Sequence, residues 1–249
     1  MMKQIEQGER IEEIGFGGLK LVQYEGSFKF GIDAVLLADF ACSLAPGARR
    51  IADLGTGNGI IPLIISHKNK SCKITGIDVQ DRSIEAAKRS VALNRLEERL
   101  DFIRADISKL EGEHADLDNA FDAVVTNPPY VEAGRGIVNA ESPKYIARQE
   151  TTADLECFIR TAVRMLKERG HFFIVYRPSR MADLFYYCRK YGLEPKTMQL
   201  VTPHRGEKPN ILLLHCIRGA GKELQVRKEL PVRESNGLYT SEINRIYER

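Results

Sequence analysis

No apolar run in this 249-residue chain approaches the ~20 residues a bilayer-spanning helix needs. Runs such as Phe172–Tyr176 and Ile211–Leu214 stop far short of it. Met1 to Arg10 is polar and charged and holds no apolar leader core. Cysteine is sparse and scattered, at 42, 72, 157, 188 and 216, an odd number with no CxxC pair. That argues against a zinc ribbon and a disulfide framework, so no metal is expected and a reducing cytoplasm is. No sign of charge dominates: 37 Lys+Arg stand against 34 Asp+Glu, net +3, which by itself names no polyanionic partner. No repeat and no low-complexity linker is found. What is there is ordinary globular composition, 43% hydrophobic and 29% charged, in a chain long enough to bury a full core without staples.

Patterning divides the chain in three. Residues 1–46 read as an N-terminal extension, with Leu19–Tyr24 and Phe28–Phe30 as a hairpin around Glu25-Gly26-Ser27 and a helix over Ile32–Cys42. It is expected to pack on the core. Residues 47–218 alternate strand and helix. Apolar runs at 51–54, 73–78, 100–104, 121–126, 171–176 and 211–217, with Val201, read as strands, and 60–67, 83–94, 152–167 and 178–191 as helices. This order predicts an α/β fold with a doubly wound, mainly parallel, seven-stranded sheet. Residues 219–249 read as a polar, poorly ordered tail.

The sharpest local signal is Asp53-Leu54-Gly55-Thr56-Gly57-Asn58-Gly59, set between a strand and a helix. Glycines there let the chain turn tightly and a ligand approach closely. The spacing is neither the dinucleotide GxGxxG nor a phosphate-gripping P-loop. Asp53, two residues before the first glycine, is an odd neighbour for a pyrophosphate. It suits a ligand with a positive ammonium, such as a methionine moiety. Asp78 ends the next strand ~20 residues on, where an acid can accept ribose hydroxyls. Asp106 ends the third strand, where an acid can accept from an adenine amino group.

After the strand Phe121–Thr126 comes Asn127-Pro128-Pro129-Tyr130. Pro129 restricts the backbone of Pro128 and so aims its carbonyl. The Asn127 side-chain carbonyl is a second acceptor. Two fixed acceptors suit a planar NH2 group, whose nitrogen lone pair they would localise for attack on a sulfonium methyl. Tyr130 offers a ring face for stacking a flat substrate. A plain Pro-Pro turn would require neither Asn nor Tyr.

Taken in this order, these motifs resemble the class I, Rossmann-like S-adenosylmethionine-dependent methyltransferases that modify exocyclic or amide nitrogen. The likeness spans roughly residues 28–218. Within them the chain is similar to the bacterial family that methylates N6 of adenosine 37 in a valine tRNA. Phe28-Lys29-Phe30-Gly31-Ile32-Asp33-Ala34-Val35-Leu36-Leu37-Ala38 and Pro203-His204-Arg205 carry that added likeness. The resemblance implies that Asp53, Gly55, Gly57 and Asn58 hold the methionine part of the cofactor. Asp78 would hold its ribose and Asp106 its adenine, with Gly31 and Asp33 closing over it. Asn127, Pro128, Pro129 and Tyr130 would hold the target base. No general base is required, and His171, His204 and His215 are expected to be structural or surface residues.

The same tetrapeptide serves enzymes that methylate DNA adenine N6, ribosomal RNA guanine N2 and a protein glutamine amide. Only about fifty residues precede the glycine loop, little for a release-factor enzyme's helical domain, and there is no room for a DNA-reading domain. RNA brings its own shape. The expectation is therefore an enzyme acting on tRNA in the cytoplasm, with no membrane, metal or obligate protein partner. Basic Arg135, Lys144, Arg148, Arg205 and Lys208 would meet phosphates. A silent cofactor-binding partner in an RNA-processing complex is the non-enzyme alternative, disfavoured by the intact tetrapeptide.

Overall fold

The computed structural model describes residues 8–24, 31–129 and 153–249. The N-terminal strands β1 (Glu9–Glu13) and β2 (Lys20–Tyr24) form an antiparallel hairpin. β2 is the strand expected at 19–24, and among the described residues it pairs with β1, which precedes it. The turn is Gly15-Phe16-Gly17-Gly18, all four at positive φ, which three glycines make accessible. The expected partner, 28–30, lies outside the described residues.

Among the described residues the central sheet has nine strands. Strand β3 (Arg50–Leu54) lies at its middle, flanked by β4 (Lys73–Asp78) and β6 (Phe121–Thr126), and β5 (Leu100–Arg104) forms one edge. Beyond β6 come β7 (Leu166–Tyr176), β9 (Ile211–Arg218) and β8 (Leu193–His204). These are the seven expected strands. Only β9 runs antiparallel to its neighbours. The middle strands are buried on both faces, Val124, Val125, Phe172, Phe173, Ile174 and Val175 completely, so their sequences are continuous apolar runs without alternation. β8 is far longer than Val201 alone suggested. Its Pro195 sits where the register slips against β9, a place that tolerates a missing N–H.

Helices cover both faces. On one lie α1 (Ile32–Leu44), α2 (Ile60–Lys68) and α3 (Asp81–Asn94); on the other, α4 (Leu155–Met165) and α5 (Met181–Lys190). α4 ends at Met165, two residues short of the expected 167, and the chain passes straight into β7, which starts at Leu166 rather than 171. α3 also takes the hairpin: Ser90 and Asn94 accept from the backbone N–H groups of Val22 and Lys20, each at 2.9 Å. Buried Arg89 pairs with buried Glu9.

The tail differs most from expectation. It adds β10 (Gln225–Val226) and β11 (Leu230–Arg233), both parallel to β8, and α6 (Ser241–Ile246). Leu230, Ile243 and Ile246 enter the core beside α1 and α2. Thr240 caps α6, and Glu248 bonds His67 at 2.8 Å. Three well-spaced apolar residues anchor a segment that is otherwise polar.

Candidate active site

All parallel strands end at one edge of the sheet, and the site is assembled there. Past β3, Gly55 and Thr56 both donate backbone N–H bonds to the carbonyl of Ile77, at 2.9 and 3.0 Å, hanging the glycine loop on the end of β4. Gly57 has φ +54°, and a Cβ there would point into open space. The backbone is thus held in a conformation side chains rarely adopt, under a clear approach for a ligand. Asn58 beside it is half-buried.

Asp53 is completely buried. Its Oδ2 accepts from Thr56 Oγ1 at 2.7 Å, while Oδ1 is buried with no hydrogen-bond partner. Burial raises its pKa to about 7; the Thr56 bond opposes the shift and the nearby Asp78 carboxylate adds to it. An orphaned buried carboxylate oxygen asks for a donor, and a cationic one would draw off the proton as well.

Asp78 is held by two backbone donors, Gly57 N to Oδ2 at 2.8 Å and Gln80 N to Oδ1 at 2.9 Å. Asp106 caps the short turn Ile107–Lys109, with Oδ1 accepting from Ser108 N at 2.9 Å and Ser108 Oγ at 2.7 Å. Asp53 near the end of β3, Asp78 at the end of β4 and Asp106 just past β5 therefore stand on three adjacent strands at one edge.

On the other side of β3, buried Thr126 at the end of β6 donates its hydroxyl to the carbonyl of Leu54 at 2.8 Å. That bond ties the start of Asn127-Pro128-Pro129 to the base of the glycine loop. Pro128 is buried, and Asn127 and Pro129 are half-buried. Gly31 caps α1, and Asp33 occupies its first turn. The Asp33 carboxylate helps to push the half-buried Tyr247 phenol up to about 12, after burial itself and Tyr239. Arg205 and Lys208 are exposed in the loop joining β8 to β9, at the same edge but beyond β7 and β9. Tyr130, Arg135, Lys144 and Arg148 lie outside the described residues.

Several supporting residues escaped sequence reasoning. Thr56 and Thr126 act through hydroxyls whose partners only the fold reveals. Gly76, inside β4, looked like part of a strand. A Cβ there would lie 2.5 Å from the Phe102 ring and 2.8 Å from Thr56 Oγ1. A glycine within a strand was the available signal of close approach. His171 and His215 bond each other at 2.9 Å within the sheet, and burial drives the His215 pKa down to about 3. Their packing uses them, whereas His204 pairs with Glu207 at 3.2 Å in the β8–β9 loop. Among the described residues no cluster of three or more His, Cys, Asp or Glu could hold a metal ion, and no helix is long and apolar enough to cross a membrane.

Residues 33–186 match the model of the methyltransferase small domain family. A Tolumonas auensis protein named tRNA1(Val) (adenine(37)-N6)-methyltransferase is 25% identical over 217 residues, 87% of this chain and 86% of its own. A Porphyromonas gingivalis protein of the same name is 27% identical over 186 residues, 73% and 72% of the two chains. Among solved structures, an Agrobacterium tumefaciens protein described as a predicted O-methyltransferase superposes with a TM-score of 0.69 at 25% identity, over 87% of this chain and 95% of that one. A Thermus thermophilus 16S rRNA N2 G1207 methyltransferase, solved with AdoMet and guanosine, gives 0.58 at 18% identity, over 86% and 51%. That last likeness is one of fold.

Proposed function

The chain belongs to the methyltransferase small domain family, and from that premise we propose that it methylates N6 of an adenine in tRNA, adenosine 37 of a valine tRNA, in the cytoplasm. The observation that carries the reading is the pairing of two half-sites across β3. On one side is a buried carboxylate with an orphaned oxygen under a glycine loop. On the other is Asn127-Pro128-Pro129, fastened to that loop by Thr126. The names of relatives aligned along most of the chain support the choice of base and RNA.

S-adenosylmethionine, when bound, supplies an electrophilic methyl on a sulfonium. The residues present fit it: Asp53 offers its unpartnered oxygen to the ammonium, and Gly57 leaves its approach open. Asp78, already oriented by two backbone donors, would accept from the ribose, and Asp106 would accept from the adenine amino group. Gly55 and Asn58 complete the loop around the methionine part, and Gly31 and Asp33 close the N-terminal side.

The Asn127 side-chain carbonyl and the Pro128 backbone carbonyl would each take one hydrogen of the target NH2. Drawing on both hydrogens directs the nitrogen lone pair out of the ring. Pro129 holds the Pro128 carbonyl in direction, and Tyr130 would stack on the base. This stabilisation grows as the nitrogen pyramidalises, so it lowers the barrier more than it tightens binding. The proton leaves to water once the nitrogen is cationic.

The similarity to a described O-methyltransferase raises a hydroxyl acceptor as a second reading. A hydroxyl has one hydrogen and would leave one of the two acceptors idle. Nucleoside mass spectrometry after incubation of unmodified bulk tRNA with isotopically labelled S-adenosylmethionine tests the proposal. Label in N6-methyladenosine at position 37 is expected. Label in ribose, in guanine N2 or only in an added release factor would overturn it.

A further inference from the structure

We infer that the turn after β7, carrying Arg177 and Arg180, is the phosphate seat for the nucleotides beside the target base. It would give the RNA a direction along the sheet edge, from Asn127 toward β8. This rests on the tRNA reading above and adds to it residues that sequence reasoning did not select.

Topology carries the argument. β7 pairs directly with β6, with Thr126 opposite Ile174, so the turn Arg177-Pro178-Ser179-Arg180 leaves the sheet next to Asn127-Pro128-Pro129. Neighbouring strands are about 4.8 Å apart. β8 lies two strands farther out, so Arg205 and Lys208 leave the same edge roughly 10 Å beyond β7. Arg177, Arg180, Arg205 and Lys208 are all exposed. On the opposite side of Asn127 the edge carries Asp53, Asp78 and Asp106. Both halves carry both signs, with Arg82, Arg104 and Lys109 exposed near those acids and Asp183 and Glu207 among the basic residues; what sets the β7 turn apart is that two exposed arginines leave the sheet directly beside the tetrapeptide.

The side-chain chemistry suits phosphate. Arg180 Nε donates to Asp183 at 2.6 Å, which uses one of the five N–H groups of the guanidinium. Both partners are substantially exposed, and such a pair contributes little, so a phosphate can compete for the fork. Guanidinium groups grip phosphate oxygens in pairs, which fixes register beside a base drawn out of its stack. Pro178 stiffens the turn that holds both.

The test is fluorescence anisotropy with an unmodified tRNA transcript between 50 and 200 mM salt. Wild type is compared with Arg177→Ala/Arg180→Ala, with Arg177→Lys/Arg180→Lys and with each single Gln variant. The alanine pair is expected to weaken binding at least tenfold at low salt and to flatten the log–log salt slope by about 1.4–1.8. Each Gln variant should flatten it by about half as much, and the lysine pair should keep the slope. Calorimetry should find cofactor affinity within about twofold of wild type throughout. A wild-type slope and affinity in the alanine and Gln variants, with wild type binding and methylating tRNA, overturns this seat alone. Failure of wild type itself to bind or methylate tRNA overturns the seat and the tRNA reading together. Should the alanine pair lose its folded circular dichroism, the single Gln variants decide.

Discussion

Thr56 donates its hydroxyl to one oxygen of Asp53 at 2.7 Å, and no described group reaches the other. The bond crosses the first turn of the glycine loop, so the carboxylate that would receive an ammonium is positioned by the loop itself.

A pH dependence follows. The Asp53 pKa is raised from its ordinary 3.8 to about 7, chiefly by burial. Below about 7 the free protein holds a neutral carboxyl, which cannot pair with an ammonium. Calorimetry with the demethylated cofactor, which keeps that ammonium, should show affinity falling on acidification, approaching about tenfold per pH unit. The stability tied to Asp53 has the opposite sense: it is full below 3.8 and lost as pH rises through about 7, because ionisation opposes burial. Thermal stabilisation by the ligand should therefore be greater at pH 8 than at pH 6. Asp53→Asn should weaken binding and flatten the profile. An unchanged profile in that variant would place the ammonium elsewhere.

Asn127→Ala should lower the single-turnover rate on tRNA by about tenfold or more, the loss of over ~1.4 kcal/mol of transition-state stabilisation. Cofactor affinity should stay near wild type, since the two half-sites lie on opposite sides of β3. Retained turnover would reduce the tetrapeptide to a turn.

Gly76→Ala should destabilise the protein by about 1–3 kcal/mol in urea, because its Cβ would meet the Phe102 ring at 2.5 Å. Trimming the ring with Phe102→Leu in the same chain should recover part of the loss, a coupling that independent sites would lack. Purely additive effects would show that the ring moves aside freely.

Ile243→Ala should cost about 2–5 kcal/mol, the range for a buried aliphatic site. A loosely attached tail would show almost no shift in the urea midpoint. The residue is fully buried beside α1 and α2.

Much of the site was legible because it is local. A strand, a glycine loop and a helix are consecutive in the chain, and Asp53, Asp78 and Asp106 each stand at the end of an apolar run that announces its strand. Asn127-Pro128-Pro129 declares itself by residue type alone. Alternation of strands and helices predicted the doubly wound sheet for the same reason: burial on both faces demands continuous apolar strands, and that demand is written residue by residue.

What the sequence could not decide were relations between segments far apart in the chain. The partner of β2 depended on a glycine turn before it, the tail on whether Leu230, Ile243 and Ile246 could reach one surface together. Thr126 reaches Leu54 across 72 positions only because β6 lies beside β3. Sheet order likewise sets Arg177 and Arg180 next to Asn127, about fifty residues earlier. Local patterns state what each strand must bury; which strand becomes its neighbour is chosen by packing of the whole core, and the juxtaposition of these arginines with Asn127 exists only once that choice is made.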